Sequence, residues 1–246
     1  MLALPASFLL APWPLLDKLW AVGYGICPQR VSHSYFLDGQ QLPVEARMMG
    51  MFAGFLLSVG VFAGLGRFRA RKLPTLPYLL ALVLFGASMA FDGINNTLYD
   101  LGLFHLYAPY NPARLITGLL MGAAMAGVLW PVFNMTIWRE APDVPVLDRP
   151  WQLVLLLLVL SLFAAPILLG VNELLYPVSL LTTVGEIALL TTPGALLAAV
   201  ALRREGQASS AWDVLPLITA GLALAALLLG IMSALRYAVL GATLLP

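Results

Sequence analysis

The chain has 246 residues, 61% of them hydrophobic and only 10% charged, with a mean hydropathy of +0.92, whereas soluble globular chains carry about 25% charged residues. Thirteen basic and twelve acidic residues leave a net charge of +1, which offers nothing to a nucleic acid, and a single cysteine excludes an internal disulfide or a cysteine-only metal site. This composition belongs in a lipid bilayer, and the chain is best counted in membrane spans of about 20 residues.

Residues 1–26 begin apolar but are broken by Pro5, Pro12 and Pro14 and lack a basic start, so they do not read as a signal peptide and are expected to stay. In LLDKLWAVGYGI, Asp17 and Lys18 sit too centrally for a span. The stretch predicts an interfacial or re-entrant helix with Trp13 and Trp20 at headgroup depth, and which side the N-terminus occupies stays open. The polar loop CPQRVSHSYFLDGQQ follows. Spans are then predicted at 44–66, 75–95, 112–138, 151–170, 176–202 and 213–240. The expected fold is all-α, a polytopic transmembrane bundle of six spans plus the N-terminal helix. It divides into 1–43 (helix and polar loop), 44–138 (three spans) and 139–246 (three more).

The connections at 67–74, 139–150 and 203–212 hold Arg67, Arg69, Arg71, Lys72, Arg139, Arg149, Arg203 and Arg204, eight of the 13 basic residues. The positive-inside rule makes these loops cytoplasmic in a cell (inner) membrane. The outer side then receives residues 27–43, the DGINNTLYDLGLFHLYAPYNP connection, GVNELLYP and the C-terminus.

Small residues recur every four positions in two spans, at Gly50, Gly54 and Ser58 and at Gly118, Gly122 and Ala126. Such ladders let helix backbones approach closely, because association in lipid rests on packing. Ala46-Arg47 precedes the first ladder and Ala113-Arg114 the second, so ARMMGMFAG and ARLITGLLMG read as degenerate copies, both entering from the outer side. Arg114 shares a helical face with Gly118 and Gly122, and Arg47 leans onto its own ladder. Glu45 lies about 200° round the helix from Arg47, so the two need different partners. Asp92 in FDGINN is the best partner for the arginines, with Asn95 and Asn96 one turn on. The expectation is one polar cluster of Arg47, Asp92, Asn95, Asn96 and Arg114 at the outer interface, serving ligand binding or structure.

Glu186 falls near the middle of its span and is a functional candidate by position, or a protonated acid bonded to a neighbouring Ser or Thr or to a backbone carbonyl such as those freed by Pro131, Pro166 or Pro193. Arg236 is placed to pair with Glu173 or to reach towards Glu186. Cys27, His33 and Glu45 offer a thiolate, an imidazole and a carboxylate, but Cys-x5-His fits no common zinc pattern and no fourth ligand is marked. They are weak metal candidates, and the same residues form a weak catalytic one. His105 lies among aromatic residues and reads as an interface residue. No cofactor is indicated.

The phrases CPQRVSHSYFLDGQQLPVEARMMGMFAGF and FDGINN with ARLITGLLMG resemble the predicted bacterial membrane proteins of domain of unknown function 2085, over about residues 15–125. That family reads Cys-His-Gln, Pro-x-Arg-Ser, Pro-x-Cys-Ala-Arg-Cys-x-Gly, then Asp-Gly and Arg-Leu-x-Thr-Gly. Agreement falls at Cys27, Gln29, Ser34, Pro43, Ala46, Arg47, Gly50, Asp92, Gly93, Arg114, Leu115, Thr117 and Gly118. Pro28 stands where the family has histidine, and Glu45 and Met48 where it has cysteines, so most ligands of any implied metal or redox site are missing. The resemblance implies a class and no activity.

Three functions follow as expectations. The first is an accessory, structural or assembly component with an outward-facing polar cluster, whose partners are the bilayer and other membrane subunits. The second is a small transporter or anionic-ligand-binding protein using Arg47, Arg114 and Glu186. The third is a membrane enzyme using Cys27, His33 and Glu45.

Overall fold

The computed structural model describes residues 12–240, so the Pro5 region and the extreme C-terminus lie outside the described residues. Within them run helices α1 (Leu15–Tyr24), α2 (Ala46–Gly64), α3 (Leu76–Asp100), α4 (Asn111–Ile137), α5 (Pro150–Leu168), α6 (Leu175–Ala201) and α7 (Ala211–Leu240). The helices α2 to α7 are long and apolar enough to cross a membrane, and the chain is a multi-pass membrane protein of helical-bundle fold. At 10 residues, α1 reaches only about 15 Å, half of a hydrocarbon core about 30 Å thick, so it cannot cross alone.

The bundle is built around α2 and α4, which run in the same direction and are the most closely packed pair. A Cβ placed on Gly50 would strike the Leu115 carbonyl and the Leu119 amide. One placed on Gly118 would strike the Arg47 carbonyl and the Met51 amide, and Gly54 and Gly122 repeat the pattern against Leu119 and Met51. Each contact recurs 68 positions along the chain, so the two helices are related by a pseudo-two-fold axis parallel to them. The register corrects one detail of the sequence reading. The Ala-Arg pairs are 67 positions apart, so Arg114 stands level with Ala46, and the two arginines share one neighbour, Asn96, while their other partners differ.

Around this pair, α6 packs on α2 and α4, α3 on α4, α5 on both members of the pair, and α7 on α6. The core includes Met49, Phe52, Phe55 and Phe62 from α2, Leu115, Leu119 and Ala123 from α4, Leu156 and Leu160 from α5, and Val178 and Leu189 from α6. In contrast, α3 buries only one flank: just Leu82, Asp92, Asn95 and Asn96 of its 25 residues are buried.

Two connections depart from the expected outline. The second span continues past 95 to Asp100, so Asp92, Asn95 and Asn96 are on a helix and share one face by their i, i+3, i+4 spacing. The polar loop contains a two-residue hairpin, β1 (Phe36–Leu37) with β2 (Gln40–Gln41), turned by Asp38 at φ 50° and Gly39 at φ 69°. Positive φ at both central residues is the type I′ geometry that Asp-Gly favours. At the opposite end, the Arg67 connection is tied to the 139–150 connection, with Arg67 Nη2 3.1 Å from Asp148 and Lys72 Nζ 2.6 Å from Asp143.

Candidate functional site

The starts of α2 and α4 and the end of α3 meet at one end of the bundle, and the residues 27–45 fold over them. Arg47, in the first turn of α2, donates from Nη2 to Asp92 Oδ2 at 2.5 Å. The other carboxylate oxygen of Asp92 accepts from the Tyr107 hydroxyl at 2.6 Å. Asp92 is 1% exposed, so both oxygens are used up in a place where an unpaired charge would be costly.

Asn95 holds Tyr107 in place. Its Oδ1 accepts from the Leu106 amide at 2.8 Å and its Nδ2 donates to the Tyr107 carbonyl at 2.9 Å. Burial and the Asp92 bond push the Tyr107 phenol up to about 12, so it stays a donor at all ordinary pH. Asn96 is satisfied with its amide oxygen towards the arginines, accepting from Arg47 Nη2 at 2.6 Å and Arg114 Nε at 3.2 Å, while Nδ2 donates to the Asp92 carbonyl at 3.2 Å.

Arg114 differs in kind from Arg47. It is 6% exposed, and its three nitrogens reach Asn96, Asn111 Oδ1 at 2.8 Å and His33 Nε2 at 3.3 Å, all neutral acceptors. Accepting from Arg114 leaves the His33 proton on Nδ1, which faces Glu45 Oε2 at 3.5 Å. Burial, with Arg114 and Arg30 beside it, holds the His33 pKa below the ordinary value.

Glu45 is the extended residue before α2 (ψ 154°), not part of the helix, so its turn away from Arg47 comes from the loop conformation rather than from the helical spacing expected. Its Oε1 accepts from the Arg30 amide at 2.9 Å and Arg30 Nε at 3.0 Å, and Oε2 accepts from Arg30 Nη2 at 3.3 Å. Burial opposes ionisation of Glu45, but these donors outweigh it and hold the carboxyl below its usual range. A single chain of contacts thus runs from Arg30 through Glu45, His33, Arg114, Asn96 and Arg47 to Asp92 and Tyr107. It holds three guanidiniums against two carboxylates.

Sequence reasoning did not include Arg30, Tyr107 and Asn111. Each is brought in by a loop that closes over the helix ends, a contact no local period marks. Asn111 was the most accessible of them, since Asn-Pro opens α4 three residues before Arg114 and the Asn111 side chain also donates to the Ser34 carbonyl at 3.0 Å.

The remaining candidates stand apart. Cys27 is buried, accepts from the Glu45 amide at 3.2 Å, and desolvation pushes its thiol up to about 11, which removes the thiolate from neutral solution. Among the described residues, no three His, Cys, Asp or Glu side chains gather as a metal site. Arg236 pairs with neither Glu173 nor Glu186. Its guanidinium donates to the Tyr24 carbonyl at 2.9 Å, the Pro28 carbonyl at 2.7 Å and the Cys27 carbonyl, and lies over the Tyr24 ring. It therefore satisfies carbonyls left open at the end of α1. Glu186 is 1% exposed, and neither carboxyl oxygen meets a carbonyl or any other partner, contrary to the expectation drawn from the prolines. His105 accepts no role in the cluster and packs edge-on against Tyr99.

Residues 27–128 match the model of a family described as a predicted membrane protein, domain of unknown function 2085. An uncharacterized protein of Methanocaldococcus jannaschii is 28% identical over 122 residues, covering 50% of this chain and 72% of that protein. No solved structure matches. Over residues 27–128 the chain is thus matched to the DUF2085 family of predicted membrane proteins, and the whole Asp92 cluster lies inside that stretch.

Proposed function

We propose that this protein is an accessory or assembly component of a membrane complex, with the Asp92 cluster serving as a lock that fixes three helix ends and presents the loops above them. The observation that carries this reading is the engagement of Asp92, a buried carboxylate whose two oxygens are each held by a side chain of this protein, Arg47 and Tyr107. A lock of this kind suits a scaffold that other subunits recognise by shape. Eight basic residues at the opposite end support a cell-membrane orientation with loops 67–74, 139–150 and 203–212 in the cytoplasm. In mild detergent extracts of native membranes, the protein is expected to migrate with other membrane subunits. Asp92→Ala is expected to lower both its melting temperature and its share in that assembly. Migration as a lone chain, unaltered by Asp92→Ala, would count against the proposal.

One observation favours a second reading, a binding site for an anionic group. Arg114 has only neutral partners, and the cluster carries one guanidinium more than it has carboxylates. Phosphate or sulfate would then raise the melting temperature of the native protein and leave that of Arg114→Gln unchanged. The enzymatic reading has the least support, since the Cys27 thiol is buried and protonated and Glu45 is engaged by Arg30.

A further inference from the structure

The most anomalous group in the bundle lies outside the family-matched segment. Glu186 is three turns into α6, 1% exposed, with both carboxyl oxygens unpartnered. Buried polar groups are nearly always satisfied, and an ionised carboxylate without donors inside a membrane bundle is costly. Other polar residues share its face. Ser179, Thr182 and Thr183 precede it at seven, four and three positions and are 0%, 2% and 5% exposed. Thr182 Oγ1 bonds its own helix at Val178, but Ser179 Oγ has no partner. On α6 they form a lane one side chain wide, while the further buried threonines, Thr191 and Thr192, lie past Glu186 on other faces of the helix. The lane starts near the end where Asn172 holds the hairpin and stops at Glu186, beyond which the same face continues with Leu190 and Pro193.

Of the charged groups on the elements packed against α6, the arginines and Asp213 are committed elsewhere, and Glu173, on the turn that precedes α6, makes no hydrogen bond to the Glu186 oxygens. On α2, Arg47 is held by Asp92, and on α4, Arg114 is held by Asn96, Asn111 and His33. On α7, Arg236 is held by carbonyls near Cys27, and Asp213 bonds Ser209 and Ser210 at the opposite end. Asp17 and Lys18 of α1 make no bond to the Glu186 oxygens. The Cys27 thiol, whose pKa is raised chiefly by burial, lies near enough for a charge on Glu186 to add slightly to that rise.

We propose that Glu186 is an exchangeable proton-binding site, reached from the Cys27 end of the bundle along the Ser179 to Thr183 lane and closed towards the other end. A proton arriving from water neutralises the carboxylate, and its departure restores the charge; no other bond changes. The site extends the molecule beyond a passive scaffold and does not depend on the Asp92 lock.

Infrared spectroscopy of the purified full chain in lipid tests this. At neutral pH, wild type should show the carbonyl stretch of a protonated carboxylic acid that is absent from Glu186→Gln, and the band should shift on transfer to D2O. Ser179→Val with Thr183→Val should slow that shift several-fold without removing the band. Absence of the band, or a band that does not respond to D2O, would overturn the proposal. Glu186→Gln, which imitates the neutral acid, should melt at or above the wild-type temperature. A clear fall, or stabilisation of wild type but not Glu186→Gln by Na+, would show an ionised carboxylate with a cation instead and would equally overturn it.

Discussion

The carbonyl oxygen of Arg47 lies against Gly118 with no room for a methyl group between them, while the side chain of the same residue holds Asp92. One residue therefore couples the close approach of α2 and α4 to the placement of α3. Because α3 buries little beyond Leu82, which sits against Gly127 of α4, the polar contacts at its end add to that packing in placing it.

The glycine contacts predict a sharp positional contrast. Gly118→Leu would drive a side chain into the α2 backbone, and overpacking of even a side-chain core costs about 1–3 kcal/mol. Gly60, on the same α2 helix, has open space around it. Thermal unfolding in detergent should show a large loss for Gly118→Leu and almost none for Gly60→Ala.

Asn95 supplies a second test, within the cluster. Asn95→Ala would remove two hydrogen bonds that hold the Leu106 amide and the Tyr107 carbonyl, each worth about 0.5–1.5 kcal/mol net where, as at the exposed Leu106, water can take the lost partner's place. Proteolysis in the 101–110 connection should become faster in this variant.

Acidification should destabilise the protein in two stages. The folded-state pKa of His33 lies below 6.5, so as pH falls through 6.5 the unfolded chain takes up a proton that the folded protein resists, and stability drops. The folded pKa of Glu45 is likewise below 4.5, so its contribution, present above 4.5, is lost as pH falls through the lower folded value. Melting temperature against pH should fall on the acid side, and His33→Gln should remove the upper stage only.

The extent to which the structure could be read in advance follows from what kind of contact each feature depends on. The six spans emerged within a few residues of their final limits because lipid demands long apolar runs, and the close-packing faces of α2 and α4 were visible as glycines at four-residue spacing, although not that the two faces meet each other. Arg47 and Asp92 could be placed together because both are charged, at the same end of adjacent spans. Arg30, Tyr107 and Asn111 could not, since loop closure rather than periodicity brings them in. Arg236 escaped for a different reason: its partners are backbone carbonyls, which every residue carries and no sequence marks.

The single cysteine allows a direct probe of that last contact. A buried thiol with its pKa near 11 should react with maleimide only very slowly in the native protein. Arg236→Ala, which frees the carbonyls of Tyr24, Cys27 and Pro28, should loosen this loop and speed Cys27 labelling several-fold.

The lock itself is tested most directly by a double-mutant cycle on Arg47 and Asp92, read as unfolding stability of the purified protein. Breaking a buried ion pair from either side costs about 3–5 kcal/mol. Arg47→Ala and Asp92→Ala should each be strongly destabilising, and the double variant should be little worse than either alone. Losses that simply add, or single variants as stable as the native protein, would contradict the lock.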